Sequence, residues 1–295
     1  MTGQAGQPMA IEAQPAGRAA LDFLSLEITQ TCNLHCGHCY ADASPFVRNR
    51  EVVDWSAAIA QAGALGCRKV QFIGGEPTIH PRLTALAREA HEAGFGFIEV
   101  YSNLVRVPSV MLDDFVRLGV HVATSFYSRH AATHDAVTRS PGSFVRTVKG
   151  IRAVLERGID LRVGMTLTER NAAHVEETVA FLLDLGVKRE AIAMDTARPI
   201  GRGMAGAGVV DVASAMDSLC GQCWRGRLTV SWDGKCYPCV LARCHVVGDL
   251  ARQTLAEVVA GRNLESFRRR VFANYMSRLD WGGLGEQLLR WFPEG

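Results

Sequence analysis

The chain has 295 residues, of which 48% are hydrophobic, and carries a formal net charge of +2. A chain of this length and apolar content can bury a large core, as one big domain or as a domain with a smaller appendage. The charge balance argues against nucleic acid as a partner, and no apolar run is long enough to span a membrane. We therefore expect a discrete substrate.

The first twenty residues are rich in Ala, Gly, Gln and Pro. They have neither the basic start nor the apolar stretch of a signal peptide, so residues 1–20 are predicted to be a disordered tail and the protein to stay in the cytoplasm. In that compartment thiols are kept reduced. The nine cysteines therefore indicate metal ligation and redox chemistry rather than disulfides.

From residue 21 onward, short apolar runs alternate with helical patterns, which is typical of parallel βα units. Six such units predict an α/β fold, a partial (β/α)6 TIM-like barrel whose chemistry lies at the carboxyl ends of the strands. The predicted strands are Phe23–Ile28, Val70–Ile73, Phe97–Tyr101, Val120–Phe126, Leu161–Leu167 and Ala191–Met194. Asp54 and Asn171 are the predicted caps of two of the helices.

Three cysteines follow the first predicted strand with the spacing C-x3-C-x2-C: Cys32, Cys36 and Cys39. Three thiolates on one short loop suit a four-iron cluster, because three ligands leave one iron without a protein partner. That iron can hold a substrate or cosubstrate. The alternatives are a zinc knuckle that lacks its fourth ligand, or three unrelated core cysteines.

This loop resembles that of the radical SAM superfamily, C-x3-C-x-(aromatic)-C, with His38 in the aromatic position. The family's glycine-rich turn is matched by residues 74–78, Gly-Gly-Glu-Pro-Thr, one βα unit later. The resemblance implies a [4Fe-4S] cluster that binds S-adenosylmethionine (SAM) and cleaves it reductively to a 5′-deoxyadenosyl radical. Gly75 would let the backbone approach the cosubstrate, and Glu76 would accept hydrogen bonds from its ammonium group.

Polar residues at the ends of later strands extend the predicted site. In this family such residues hydrogen-bond the ribose, carboxylate and amine of SAM, and the matching positions here are Asn103 and Ser125. Each could instead be an ordinary polar group that bonds to the backbone or to water.

A second unit follows a small-residue stretch at 201–208, which reads as a flexible connector. Residues 228–232 alternate like a strand, and the Asp233-Gly234 turn predicts a hairpin, followed by helices near 254–260 and 264–271. We therefore divide the chain into a barrel at 21–205, a small C-terminal domain at 206–272, and a tail at 273–295 that packs on the barrel.

The second unit holds five of the cysteines: Cys220, Cys223, Cys236, Cys239 and Cys244. Two C-x2-C pairs are compatible with a zinc ribbon. The segment also resembles the SPASM domain and its shortened twitch form, which implies a second, auxiliary [4Fe-4S] cluster. Four ligands close such a cluster, so one cysteine is spare. If each C-x2-C pair binds the cluster, the first four cysteines are the ligands and Cys244 is free. The family pattern would instead use Cys244 as a ligand and leave Cys236 free.

A free Cys244 could return a hydrogen atom to a substrate radical. Our first expectation is accordingly a radical SAM epimerase or oxidoreductase that acts on an aminoglycoside-like small molecule, as in antibiotic biosynthesis, with an external electron donor such as flavodoxin or ferredoxin. The absence of a leader-binding domain before residue 21 supports this choice. The alternative is a maturase that epimerises or cross-links a ribosomal precursor peptide, and a third hypothesis is a non-catalytic metal-binding module.

Overall fold

A computed structural model describes residues 21–47, 52–204, 219, 221 and 223–278. Residues 1–20, the second half of the predicted connector, Cys220 and residues 279–295 of the predicted C-terminal tail lie outside these ranges. None of the helices in the described ranges combines the length and the apolar character needed to cross a bilayer.

Nine strands form one sheet in the order β6-β5-β4-β3-β2-β1-β7-β8-β9. Strands β1 to β6 pair in parallel, β7 pairs in parallel with β1, and the last two pairings are antiparallel. The strands are Phe23–Thr29 (β1), Lys69–Gly74 (β2), Phe97–Tyr101 (β3), Val120–Ser125 (β4), Leu161–Leu167 (β5), Ile192–Thr196 (β6), Arg227–Val230 (β7), Lys235–Tyr237 (β8) and Gly248–Asp249 (β9).

Helices connect the parallel strands and cover one face of the sheet, as expected for βα units. They are Trp55–Ala64 (α1), Leu83–Glu92 (α2), Ser109–Leu118 (α3), Ala131–Thr138 (α4), Ser143–Leu155 (α5) and Val175–Asp184 (α6). Two further helices, Leu255–Val259 (α7) and Arg262–Arg278 (α8), follow β9. The predicted partial barrel is confirmed.

Both predicted caps stand at the start of a helix, but only one makes a side-chain capping bond. The Asp54 carboxylate accepts a hydrogen bond from the Ala57 amide at 3.0 Å and so caps α1. Asn171 occupies the N-cap position of a short 3-10 helix, Ala172–His174, just before α6, without a side-chain capping bond. Its side-chain NH2 instead donates to the carbonyls of Tyr127 and Thr166, each at 3.0 Å, because an asparagine can bind loop carbonyls as readily as a helix end.

Alternate residues of β1 face opposite sides of the sheet. Leu24, Leu26 and Ile28 belong to the main hydrophobic core under the helices. Ser25 and Glu27, although buried, are polar and face the other side, the inside of the barrel.

A ladder of side-chain hydrogen bonds crosses the inside of the barrel. Ser25 donates to Gln71 at 3.4 Å, and Gln71 donates to Glu99 at 2.5 Å. Glu99 in turn binds the Arg162 guanidinium at 2.9 Å, although β3 and β5 are not neighbours in the sheet. The ladder therefore ties four of the parallel strands, β1, β2, β3 and β5, together across the inside of the barrel.

The predicted hairpin also forms, and it continues the barrel sheet. Gly234 occupies the turn with a φ of +85°, a conformation that glycine adopts without strain. Because β7 pairs with β1 from Phe23 to Leu26, the hairpin is an extension of the barrel and not a separate sheet.

Candidate functional site

The first cysteine loop starts where β1 ends. The thiols of Cys32, Cys36 and Cys39 pack together with Leu34 and Ala43 in a small apolar cluster. A turn closed by the bond from the Cys39 amide to the Cys36 carbonyl, 3.3 Å long, folds the loop back on itself. The three sulfurs are thus gathered on one loop, as the sequence predicts.

The surroundings of these thiols fit an iron–sulfur cluster. Burial, together with the neighbouring Cys39 thiol, raises the pKa of Cys36 to about 12. Burial and the Glu76 carboxylate raise the pKa of Cys32 well above its usual range. Such thiols become thiolates only beside a strong positive charge, and coordinated metal ions deprotonate thiols outright. Iron at this loop would supply that charge.

Arg202 holds the loop from outside, a role that the sequence reasoning missed. Its guanidinium donates to the carbonyls of Cys36, at 2.9 Å, and Ala43, at 2.6 Å, and binds the Asp42 carboxylate at 2.8 Å. Residues 201–204 therefore form a short turn packed on the cysteine loop, whereas we predicted that a flexible connector begins there. The contact joins residues far apart in the chain, so spacing gave no signal for it.

The predicted SAM-binding turn packs directly behind the cysteine loop. A side chain at Gly75 would overlap the backbone of Thr31, and the Gly75 amide donates to the Thr29 carbonyl at 2.6 Å. The structure thus explains this glycine by close contact with the chain that leads into Cys32. Approach to a cosubstrate is not needed to account for it.

Glu76 is buried and its carboxylate is already engaged. One oxygen accepts from the Thr78 amide and hydroxyl and from the Ser102 hydroxyl, at 2.6 to 3.0 Å. The other accepts from the Asn103 amide at 2.7 Å. A carboxylate has about four acceptor positions, so little capacity is left for the ammonium group that we expected it to bind. In the structure Glu76 instead joins the glycine turn to the end of β3.

Asn103 reaches the cysteine loop. Its side-chain NH2 donates to the Asn33 side chain at 2.6 Å and lies 3.8 Å from the Cys32 sulfur. Its own oxygen accepts from the Val105 amide at 3.0 Å. The residue therefore lies beside the first cysteine.

Ser125 and His38 meet through Tyr127, which the sequence reasoning also missed. The Ser125 hydroxyl is 3.2 Å from the Tyr101 hydroxyl, and it also hydrogen-bonds Tyr127. The Tyr127 ring lies 5.1 Å from the His38 ring, edge to face. Burial, with a smaller contribution from Arg202, lowers the pKa of His38 to about 4, so the ring is neutral at pH 7. An aromatic residue two positions past a strand end was the available signal for Tyr127.

In the second cysteine set, Cys223 and Cys239 lie side by side. Their sulfurs are 2.9 Å apart, within a cluster that includes Leu219, Phe267 and Val271. The two thiols are thus neighbours, and a metal centre bound by both would hold their sulfurs further apart, at roughly 3.8 Å for bonds of about 2.3 Å to one tetrahedral ion. Cys244 is exposed and follows Cys239 through two consecutive turns.

Cys236 occupies a different environment. It is fully buried in the main hydrophobic core with Leu255 and Val258 of α7. It pairs in register with Val230, so both side chains point to that core face. Its neighbour Tyr237 points to the other face, where the Arg243 guanidinium lies 4.8 Å from its ring.

Arg243 links the two cysteine sets inside the barrel. It forms a short ion pair with the buried Glu27, and its guanidinium lies 5.2 Å from the Tyr40 ring. Tyr40 directly follows Cys39, and Arg243 directly precedes Cys244. The hydroxyl of Tyr40 and the second carboxylate oxygen of Glu27 are buried without a hydrogen-bond partner among the described residues. Polar atoms of this kind mark a place for water or a ligand.

Comparisons with known protein families match both parts of the chain. The model of the radical SAM superfamily matches residues 26–182, and that of the SPASM iron–sulfur cluster-binding domain matches residues 220–278. These two domains imply SAM, a first [4Fe-4S] cluster and an auxiliary cluster, as the sequence analysis expects.

Two curated relatives are each 29% identical to the chain. The PqqA peptide cyclase of Ruegeria pomeroyi matches over 174 residues, 57% of this chain and 45% of the relative. The subtilosin biosynthesis protein AlbA of Bacillus subtilis matches over 170 residues, 56% of this chain and 37% of the relative. The matched region is thus less than half of either relative.

Among solved structures, Streptococcus suis SuiB bound to its precursor peptide SuiA has the same fold. The TM-score is 0.66 at 13% identity, over 84% of this chain and 66% of that one. The superfamily model covers more than half of the residues and includes the cysteine loop. The chain therefore belongs to the radical SAM superfamily.

Proposed function

We propose that this radical SAM enzyme modifies a ribosomally made precursor peptide. The two curated relatives are named for peptide cyclisation and for biosynthesis of a bacteriocin, and SuiB shares the fold and was solved with its precursor peptide. This is the alternative of the sequence analysis. Our first expectation, an aminoglycoside-type epimerase, finds no support in these relatives.

The observation that carries the proposal is the bridge formed by Arg243 and Tyr40. Tyr40 belongs to the loop of the first cysteines, and Arg243 belongs to the loop of Cys239 and Cys244. The two loops therefore meet at this side-chain contact. A substrate in the barrel would therefore lie between a site that removes hydrogen atoms and a site that accepts electrons. Oxidative cross-linking of a peptide needs both.

We assign the auxiliary ligands as Cys223, Cys239 and Cys244, with Cys220 as the fourth. The close approach of the Cys223 and Cys239 sulfurs supports the first two. Cys244 lies on the same loop as Cys239, after two consecutive turns, whereas Cys236 is packed in the main hydrophobic core. This choice releases Cys236 and withdraws Cys244 from the hydrogen-donor role that we expected.

The bound groups supply the radical chemistry. Cys32, Cys36 and Cys39 would hold the first cluster, and Cys220, Cys223, Cys239 and Cys244 the auxiliary cluster. With SAM bound, these groups would supply hydrogen-atom abstraction and the removal of one electron, so a cross-linked peptide would lose one hydrogen atom to the 5′-deoxyadenosyl group and a second as a proton and an electron. The electron that starts the cycle comes from an external reductant such as flavodoxin or ferredoxin.

The chain's own residues hold this site in shape. Glu76 ties the glycine turn to β3, Arg202 fixes the cysteine loop from outside, and Tyr127 packs on His38. Asn103 and Ser125 are proposed to orient SAM, since both lie at strand ends beside the loop.

The test uses the cluster-loaded protein with SAM, dithionite and synthetic peptides translated from the short reading frames that lie beside its gene. We expect peptide that has lost two hydrogen atoms, with one 5′-deoxyadenosine formed per cross-link, as measured by mass spectrometry. The control variant Cys36→Ala should form neither product. Unchanged peptide together with an oxidised or inverted aminocyclitol would overturn the proposal. Peptide of unchanged mass that gains deuterium from heavy water would indicate epimerisation and overturn the cross-link alone.

A further inference from the structure

Three metal-binding side chains meet on the rim of the barrel, away from both cysteine sets in the chain. His130 follows β4, while His174 and Glu177 lie where α6 begins after β5. Their ligand atoms all lie within 4.8 Å of one another. The two segments are far apart in sequence, so no motif announced this group.

The three side chains already face one another. The His130 Nε2 atom is 3.0 Å from a Glu177 carboxylate oxygen. The His130 and His174 rings are 4.7 Å apart at 67°. His174 and Glu177 are three residues apart at the start of a helix, a spacing that places side chains on one face.

We propose that His130, His174 and Glu177 bind a zinc ion. Two imidazoles and one carboxylate, with a fourth position left to water, are a common zinc ligand set. About half of the side-chain surface of His130 and of Glu177 is exposed, so water can reach the ion. A tetrahedral ion with bonds of about 2.0–2.2 Å holds its ligands roughly 3.3–3.6 Å apart. Side-chain rotation alone can close the observed separations.

A buried threonine fixes the backbone beside both histidines. Thr178 accepts a hydrogen bond from the Arg129 amide at 3.1 Å and donates to the His174 carbonyl at 2.6 Å. The His130 amide donates to the Ser128 hydroxyl at 3.1 Å. The two loops are therefore joined before any ion binds, which lowers the ordering cost of binding.

Arg129 competes with the ion for the carboxylate. One guanidinium nitrogen lies 3.9 Å from the same Glu177 oxygen that faces His130. Both side chains are about half exposed, and ion pairs of that kind are worth only about 0–1 kcal/mol. A divalent ion held by three ligands can displace such a weak contact.

The experiment measures zinc affinity of the protein with both clusters loaded, by anaerobic competition with a chromophoric chelator. We expect one tight equivalent of zinc in the wild type. Loss of a residue that only hydrogen-bonds a metal ligand typically weakens metal affinity about 10–100-fold. Loss of a ligand itself should cost more, so His174→Ala should weaken zinc binding by at least about 100-fold. The control His121→Ala should bind zinc like the wild type, since His121 pairs with Asp160 and belongs to no such triple among the described residues.

Equal zinc affinity in the wild type and His174→Ala would overturn the proposal. X-ray absorption at the zinc edge gives a second readout: we expect nitrogen and oxygen ligands, and sulfur ligands would show that zinc sits on cysteines instead. Arg129→Ala should leave zinc binding unchanged or tighten it by up to about 5-fold, since the lost ion pair is worth about 0–1 kcal/mol. Weaker binding in that variant would contradict Glu177 as a ligand.

Discussion

At the scale of single residues, the cysteines of the C-terminal part occupy two chemically different places. Cys223 and Cys239 touch each other beside Leu219 and Phe267, whereas Cys236 is buried against α7. Burial, with a smaller effect from Asp249, raises the pKa of Cys236 to about 12. A neutral thiol in that position behaves as a small apolar side chain.

This difference predicts the iron content of two variants. Cys236→Val replaces a buried thiol with an apolar side chain of similar size, so the protein should keep about eight irons per chain, two four-iron clusters. Cys244→Ala removes a proposed ligand and should lower the count to about four. Iron and sulfide analysis of the two purified variants makes the measurement. The reverse pattern would restore Cys236 as the ligand and leave Cys244 free.

At the scale of elements, the turn after β2 supports the cysteine loop. Its glycines lie against the backbone of residues 29–31, the segment between β1 and Cys32. The Glu76 amide donates to the Thr31 carbonyl at 2.9 Å and completes this contact. Two loops that carry the chemistry are thus packed backbone to backbone, with no room for a side chain.

Gly75→Ala should therefore disturb the first cysteine loop. The added methyl group would overlap the Thr31 backbone, and overpacking of this kind costs about 1–3 kcal/mol or more. We expect loss of SAM cleavage, measured as 5′-deoxyadenosine under dithionite. The matched control is Gly96→Ala, where a methyl group would meet nothing within 4 Å. If Gly75→Ala cleaves SAM as fast as Gly96→Ala does, the packing argument is wrong.

Elements were predicted well where local pattern decides them. Phe97–Tyr101 and Leu161–Leu167 were predicted with the observed limits. Each is a mainly apolar run whose first and last residues are also those of the strand. The clamp of Arg202 on the cysteine loop escaped prediction because it joins residues 166 positions apart. The bonds of Glu76 to Ser102 and Asn103 escaped prediction for the same reason, because these residues follow the next strand along the chain.

At the scale of the whole molecule, one ion pair joins the barrel to the C-terminal cysteine loop. Glu27 is fully buried and Arg243 nearly so, and the Tyr40 and Tyr237 rings flank the guanidinium. Burial lowers the pKa of Arg243, but Glu27 and Tyr40 outweigh it and raise the pKa above its usual range. The side chain is therefore charged, and its partner is a fully buried carboxyl group.

Arg243→Ala should destabilise the protein by about 3–5 kcal/mol, because it leaves Glu27 buried without its cation. Urea unfolding of the cluster-loaded protein under anaerobic conditions measures this change. The control is Arg269→Ala, which breaks an exposed pair with Glu265 and should cost no more than about 1 kcal/mol. Equal midpoints for the two variants would contradict a structural role for Arg243.

Domain organisation was harder to predict than the strands. The composition of residues 201–208 suggested a flexible break, and the hairpin after it suggested an independent unit. The pairing of β7 with β1 instead makes one sheet. Strands pair through backbone groups, which are the same in every residue. The local sequence therefore does not predict which distant strand a hairpin will pair with.

That pairing has a consequence for synthesis on the ribosome. Phe23 of β1 pairs with Arg227 of β7. The edge of β1 that pairs with β7 is therefore made early, and β7 becomes available only after about 200 further residues have been synthesised. At 5–20 residues per second the delay is roughly ten to forty seconds. During that time an apolar strand with unpaired amides and carbonyls is exposed to other nascent chains, and such edges invite aggregation. A chaperone that shields this edge would therefore act on the N-terminal part of the chain.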